Sequence, residues 1–328
     1  MIRSLLWMPG QPVRKIDGIA DFDALFALPE SVLWIDMIDP DDKEYYILTH
    51  DFHFHPLAIE DVIEEEDAIA ELTRSKIDDY KNYIYAEFSV ADYVDMQEGI
   101  SLKEVHLFLT KNTVVTVRYE HHRVFNYVYN RALRDDRLMS RGAEFLFHSL
   151  LDVMVDNYNS ILEYFERAVD EIEEDVLEEP DRETVRKIFT LRKDIYDLKR
   201  IALPQKEMLG QITRGQFPQF SERAAMYFRD IYDHLTRIIE LSETHRDTLI
   251  AALEVYYSNV STKTNQIIKV LTIFTVILMP PTFLVGLWGM NFKYMPELEW
   301  EYGYIIFWVL FFLITVIMIA VFKIKKWL

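Results

Sequence analysis

Residues 270–291 read VLTIFTVILMPPTFLVGLWGMN, and the first 21 of them carry no charged side chain. A second uncharged run, residues 302–322, follows after a short polar segment. Because about 20 apolar residues are enough for a helix to cross a bilayer, the two runs predict a transmembrane hairpin. The second run ends at Lys323, Lys325 and Lys326, whereas segment 291–301 has one base and three acids. The positive-inside rule therefore predicts cytoplasmic termini and an extracytoplasmic loop.

One face of the first predicted membrane helix is small and polar. Alternating steps of three and four residues back from Gly289 place these side chains in one line. Such a line of side chains indicates one of two roles. It packs closely on a neighbouring helix, of which the second membrane helix is one candidate, or it lines a water-filled path. Two helices cannot enclose such a path, so conduction would require a symmetric oligomer. The stripe comprises Glu254, Ser258, Ser261, Asn265, Ile268, Thr272, Thr275, Met279, Thr282 and Gly286.

The acidic charge lies outside the hairpin. The chain has a net charge of −19, and residues 270–328 carry three acids and four bases, so residues 1–269 carry −20. Such a charge repels nucleic acid and anionic lipid surfaces and attracts cations. There is no cysteine, which excludes disulfides, thiolate zinc sites and cysteine nucleophiles.

Residues before the hairpin predict an α+β domain followed by long helices. Strand patterns occur at 32–37 and 83–90, and 105–119 reads as a β-hairpin around Lys111-Asn112, while Pro56 opens a helix. From about 143 to 203 the periodicity is helical, with a break at Pro180. A last helix starts near Ser221 and runs into the membrane. The predicted order is 1–140 α/β domain, 141–220 helical hairpin, 221–266 stalk helix, 267–290 first membrane helix, 291–301 loop, 302–322 second membrane helix and 323–328 basic cytoplasmic tail.

Gly289-Met290-Asn291, then Met295-Pro296-Glu297-Leu298, and the closing Lys325-Lys326-Trp327-Leu328 resemble the CorA family of magnesium transporters. Agreement extends to residues 227–234, to 263–265 and to His55-Pro56 with Glu60-Asp61. The resemblance implies a funnel-shaped homopentamer in a bacterial or archaeal plasma (inner) membrane. Its pore would be lined by the first membrane helix.

The resemblance also implies roles for particular residues. Gly289, Met290 and Asn291 would form the selectivity filter, where a ring of Asn291 amides holds hydrated Mg²⁺ through its water. Ile268, at a position where methionine is common, would form apolar constrictions with Leu271 and Met279. At position 293 this chain has lysine where an acidic residue is usual in relatives, so the loop attracts cations less strongly. The acidic residues of the loop partly compensate for this. The polar lining would comprise Glu254, Asn265, Thr272, Thr275, Thr282 and Gly286, and the loop acids are Glu297, Glu299 and Glu301.

Regulatory Mg²⁺ would bind between neighbouring cytoplasmic domains, at Glu60, Asp61, Asp152 and Asp230. Mg²⁺ would bridge carboxylates of two subunits and hold the pore closed, and a fall in internal Mg²⁺ would open it. The alternative for each residue taken singly is an exposed acid or a helix cap. A basic ring of Lys323, Lys325 and Lys326 would face the acidic tip at 170–179.

We therefore expect a passive Mg²⁺ influx channel that also passes Co²⁺ or Ni²⁺, with Mg²⁺ as both cargo and regulator. Its partners would be further copies of the chain, membrane lipid and divalent cations, but not nucleic acid. The alternatives are a Zn²⁺-selective or proton-coupled relative and a membrane-tethered cation sensor that conducts nothing. The sequence lacks a Gly-rich phosphate loop and a nucleophile–base pattern, which disfavours a pump or enzyme. The spacing of His50, His53 and His55 matches no standard metal-ligand set.

Overall fold

The computed structural model describes residues 1–16, 25, 28, 30–63, 75–93, 96, 99–178, 181–293, 295–296 and 299–327. The chain divides into two compact units, Met1–Leu253 and Glu254–Leu328. The first contains a mixed α/β sheet domain and the second is helical, so the predicted fold class is confirmed.

The described strands of the first unit form one mixed sheet in the order β2-β1-β3-β7-β6-β5-β4. β3 and β7 pair in parallel, and the remaining neighbours are antiparallel. β6 and β7 form the predicted hairpin around Lys111-Asn112. The strands are β1 Ile2–Trp7, β2 Arg14–Ile16, β3 Val32–Ile38, β4 Lys76–Asp79, β5 Ile84–Tyr93, β6 Ile100–Leu109 and β7 Thr113–Arg118.

Both faces of β3 are covered, because successive side chains of a strand point to opposite faces. Leu33 and Ile35 join a core with α1 (Asp42–His50) and α2 (Pro56–Ile63). On the other face, the ring of Trp34 lies 5.9 Å from Tyr129 of α3 (Arg123–Arg134). The helix predicted to open at Pro56 is confirmed.

Two long helices follow a short 3₁₀ turn at Asp136–Leu138. They are α4 (Ala143–Glu178) and α5 (Arg182–Thr213), and the residues predicted to form the break, 179–180, lie outside the described residues. α5 continues ten residues beyond the predicted end at 203 and includes Pro204. Its buried face continues through Gln205, Met208 and Leu209, and this packing offsets the hydrogen bond that proline removes.

α6 (Glu222–Trp288) is a single helix of 67 residues, and α7 (Gly303–Ile324) follows it. The predicted long helix starting near Ser221 is confirmed. Of the described helices, α6 and α7 contain stretches long and apolar enough to cross a membrane. α7 extends two residues beyond the predicted second membrane span, 302–322, through Lys323 and Ile324.

A buried ion pair ties β3 to β7. Asp36 accepts hydrogen bonds from Arg118 Nε at 3.1 Å and Nη2 at 3.0 Å, and from Arg3 Nε at 2.6 Å. Asp36→Ala would leave the buried Arg118 without its carboxylate, which should cost about 3–5 kcal/mol. We expect the melting temperature in detergent to fall by roughly 10 °C. The exposed Asp39→Asn should leave it within about 2 °C, and an equal fall in both variants would contradict the assignment.

Candidate functional site

The small polar stripe of α6 faces away from α7. Within the Glu254–Leu328 unit, α6 is buried at Ile273 and Pro281, and the ring of Trp288 lies 5.7 Å from Phe307. At about 100° per residue, the line through Thr275 and Thr282 lies about half a turn from that face. Packing on the second membrane helix therefore does not account for the stripe.

The stripe offers hydrogen-bond acceptors. The hydroxyls of Thr272, Thr275 and Thr282 donate to carbonyls of their own helix, four residues back, at 2.7, 2.9 and 2.7 Å. Each hydroxyl proton is thereby used within the helix, which leaves the oxygen lone pairs as acceptors. Acceptors of this kind can hold the water of a hydrated cation.

Large apolar side chains alternate with the threonines. Ile268, Leu271 and Met279 are 55%, 67% and 65% exposed in the single chain. Asn265, Glu254 and Gly286 are exposed on the same helix. The exposed face of α6 therefore alternates hydroxyl groups, which can bind water, with bulky apolar side chains, which can narrow a pore.

The motif lies where the helix ends. Gly289 N donates to the Val285 carbonyl oxygen at 3.0 Å, and a Cβ at 289 would lie 3.1 Å from that oxygen. A side chain at 289 would crowd this last turn. Met290 and Asn291 follow the helix and are exposed, and the Asn291 amide has no hydrogen-bond partner among the residues that the structure describes. The amide is therefore available to a ligand.

The remaining charged residues of the Glu254–Leu328 unit lie in the loop between α6 and α7 and at the C-terminal end of α7, here called the basic end. Lys293, Glu299 and Glu301 are exposed, whereas Glu297 lies outside the described residues. Lys323 is in the last turn of α7, and Lys325 and Lys326 follow it. The Lys269 ammonium donates to the Lys326 carbonyl oxygen at 3.5 Å, which adds a fourth lysine to the basic end.

The first unit contains a cluster that could hold a cation. Single ligand atoms of Asp152, Asp156 and His234 all lie within 4.8 Å of one another. Asp230 Oδ1 is 3.9 Å from His234 Nε2. Burial, and then the neighbouring Asp156 charge, raise the pKa of Asp152 to about 6. Two carboxylates and an imidazole are suitable ligands for a divalent ion.

Two members of this cluster, Asp156 and His234, were not predicted. The spacing could have identified them, because Asp152 and Asp156 are four residues apart on α4, as are Asp230 and His234 on α6. Residues four apart share one face of a helix. What the sequence could not supply is that these two faces meet.

The other predicted pair lies on α2. Glu60 is exposed, and Asp61 Oδ2 accepts a hydrogen bond from Lys76 Nζ at 2.6 Å. Partial burial disfavours charged Lys76, but the Asp61 carboxylate outweighs it, so the pKa of Lys76 is raised. Among the described residues, no hydrogen bond or ion pair joins Glu60 or Asp61 to Asp152 or Asp230. The four predicted residues therefore fall into two separate groups, Glu60 with Asp61 and Asp152 with Asp230.

The three closely spaced histidines serve local contacts. The ring of His50 stacks on Tyr46 with 3.5 Å between centroids. His55 Nδ1 accepts from the Leu57 amide at 3.2 Å, and the His55 amide donates to the Tyr83 hydroxyl at 2.7 Å. His53 has a positive φ of 54°. The hydrogen bonds of His55 stabilise the turn before α2, and the His50 ring packs within α1.

Known proteins resemble the chain over almost its whole length. The model of the CorA-like Mg²⁺ transporter protein family matches residues 29–326. The cobalt/magnesium transport protein CorA of Thermotoga maritima is 37% identical, over 84% of this chain and 78% of its own. The putative metal ion transporter YfjQ of Bacillus subtilis is 32% identical, over 83% and 82%. The complete structure of the CorA magnesium transporter from Methanocaldococcus jannaschii superposes with a TM-score of 0.85 at 21% identity, covering 100% of this chain and 99% of that one.

Proposed function

Because this chain belongs to the CorA-like Mg²⁺ transporter family, we propose that it is a passive Mg²⁺ influx channel that internal Mg²⁺ closes. The working unit would be a homopentamer in a bacterial or archaeal inner membrane, with cytoplasmic termini. Co²⁺ and Ni²⁺ would also enter. Transport would be driven by the membrane potential, at roughly 2.3 kcal/mol per charge per 100 mV.

The observation that carries the pore proposal is the orientation of the stripe. Its acceptor oxygens and apolar levels lie on the face of α6 opposite α7, and the line ends at the free amide of Asn291. A ring of copies would bring five such faces around one axis. Mg²⁺ holds its water tightly, so amide oxygens that bind the hydrated ion would select it without trapping it.

The observation that supports closure by Mg²⁺ is that the four predicted residues form two groups, each of which would be half of a site. Asp152 and Asp230 lie at the acid–histidine cluster, and Glu60 and Asp61 lie apart from it. A cation shared between subunits would join the cluster of one copy to α2 of the next. At Asp61 the ion would displace Lys76, so this half of the site would fill only at higher Mg²⁺.

Uptake into proteoliposomes tests the transported ion. Mg²⁺ should enter vesicles that contain a Mg²⁺-sensitive dye, and the rate should rise with an inside-negative K⁺ diffusion potential. A pH gradient alone should not drive entry. If Zn²⁺ entry dominates and Mg²⁺ neither enters nor competes, the zinc-selective alternative replaces this proposal. If no divalent cation enters although the protein is assembled, the sensor alternative replaces it.

Cation binding at the cluster should weaken in acid. Because the pKa of Asp152 is raised to about 6, its carboxylate is charged at pH 7 and takes up a proton as the pH falls through 6. Below pH 6, Co²⁺ affinity should decrease about tenfold per pH unit, since the proton and the metal compete for the same oxygen. Calorimetry on the full chain at pH 7, 6 and 5 measures this. Affinity that is unchanged down to pH 5 would contradict the role of Asp152.

A further inference from the structure

A second charged site lies in the Met1–Leu253 unit and takes no part in the proposed transport. It is a cleft of about 600 Å³ between the end of α3, the start of α4 and the start of α6. Four arginines and one aspartate line it, in a unit that is otherwise strongly acidic. They are Arg131, Arg137, Arg141, Arg223 and Asp135.

The described residues do not compensate the positive charge of the cleft. Arg137 and Asp135 form a two-pronged pair, with 2.9 Å from Nε to Oδ1 and 3.0 Å from Nη2 to Oδ2. Asp135, the one carboxylate among the described lining residues, is thereby used. Within the described ranges, no carboxylate lies within 4.0 Å of Arg131, Arg141 or Arg223, which leaves an excess of about three positive charges.

Two of these guanidinium groups gather around the same aromatic rings. The Arg141 guanidinium carbon lies 4.1 Å from the Phe145 ring centroid and 4.6 Å from that of Tyr227. That of Arg223 lies 5.8 Å from Phe145. Hydrogen bonds from Arg141 and Arg223 help to lower the pKa of the Tyr227 hydroxyl. Because each guanidinium has five N–H donors, other donors remain available to a ligand. Like charges held this close repel each other, and an anion between them would relieve the repulsion.

We propose that this arginine cleft binds the polyphosphate chain of a nucleoside polyphosphate. Arginine forks match phosphate oxygens in pairs, which favours phosphate over a single carboxylate. The volume is that of a small-molecule pocket and exceeds what one orthophosphate fills.

The cleft adjoins the acid–histidine cluster. The ring of His148 lies 5.8 Å from that of Tyr227, and Tyr227 is three residues before Asp230 on α6. The positive charge of Arg131 reaches Asp152 and opposes the rise in its pKa. A polyphosphate in the cleft would offset this positive field and strengthen cation binding at the cluster. That consequence rests on the proposed regulatory role, and the linkage is reciprocal.

Calorimetry on the full chain in detergent tests the binding, without divalent cations and at 150 mM salt. The probes are ATP, tripolyphosphate, orthophosphate and adenosine. ATP and tripolyphosphate should bind once per chain with submillimolar Kd, and orthophosphate and adenosine at least tenfold more weakly. Equal affinities for ATP and tripolyphosphate assign binding to the phosphate chain, and tighter ATP adds a base contact. Absence of binding at millimolar concentration overturns the proposal.

Matched variants locate the site. Arg141→Gln with Arg223→Gln should weaken tripolyphosphate binding at least tenfold. Arg186→Gln with Arg246→Gln removes the same charge from an exposed and a partly exposed position elsewhere and should change it less than twofold. Similar losses in both pairs would overturn the assignment. Arg141→Lys keeps the charge without the fork and should give an intermediate loss. Melting temperatures within a few degrees of wild type establish that the variants fold.

Two further outcomes separate the alternatives. If the wild type binds none of the anions and the cleft pair alone dissociates the oligomer, the cleft contacts a second copy and the proposal fails. Asp152→Asn removes a negative charge beside the cleft and should tighten tripolyphosphate binding several-fold in metal-free buffer. Unchanged affinity would refute the link to the cluster. None of these measurements depends on transport. A protein that conducts no Mg²⁺ could still bind polyphosphate, so failure of the channel proposal and failure of this proposal are distinguishable.

Discussion

Asn291→Ala should lower Mg²⁺ flux by at least 100-fold while leaving assembly intact. The amide follows the last turn of α6 and is exposed, with no partner among the described residues, so its loss should change neither folding nor packing within the chain. In a ring of copies the substitution would remove five carbonyl dipoles from one level of the pore. The hydrated ion would lose its binding site at the entrance.

The measurement is Mg²⁺ uptake into proteoliposomes, with native mass spectrometry to count subunits. Glu299→Gln is a matched control, since it alters an exposed side chain of the same loop and leaves the motif intact. We expect it to retain at least half the wild-type rate. If Asn291→Ala conducts like wild type, Asn291 is not in the selectivity filter, and the pore must run along another face.

Asp152→Asn with Asp230→Asn should leave the channel open at internal Mg²⁺ concentrations that close the wild type. Each carboxylate contributes charge to the proposed regulatory ion, and a loss of about 1.4 kcal/mol in binding is a tenfold change in affinity. We expect the Mg²⁺ concentration for half inhibition to rise at least tenfold. Maximal flux should stay near the wild-type value, since neither residue belongs to the stripe.

Inside-out patches with stepped Mg²⁺ on the cytoplasmic face measure this shift. Asp247→Asn is the control, because Asp247 is an exposed acid on the same helix that pairs with Arg246 at 2.8 Å. Its inhibition curve should overlay that of the wild type. Equal curves for the double variant and the wild type would mean that closure does not depend on this cluster.

Local patterns were enough for the elements, because each depends on near neighbours in the chain. The hairpin at Lys111-Asn112, the helix that opens at Pro56 and the long helix from about residue 221 all follow from periodicity and turn residues. The residue at which a helix ends was harder to predict, because it depends on packing against distant residues. α5 passes through Pro204 because its apolar face remains buried beyond it, and this burial depends on the rest of the fold.

For sites built from separate helices and strands, the sequence indicates which residues share one element but not which elements meet. The i, i+4 pairs on α4 and α6 are visible in the sequence, but Asp156 and His234 gain meaning only because the two helices bring them within 4.8 Å. Lys76, which neutralises Asp61, comes from a strand 15 residues further on. The arginine cleft likewise joins three helices. Nothing in the spacing of its residues indicates a common site.

Residue patterns alone identify a membrane protein with an acidic α+β part, two apolar helices and a motif shared with the CorA-like family. Length and hydrophobicity decide bilayer crossing without reference to the fold. The folded chain was needed to show that the stripe faces away from α7 and that the charged groups of α3, α4 and α6 meet. Those relations depend on how helices pack, and packing is set by contacts between residues far apart in the chain.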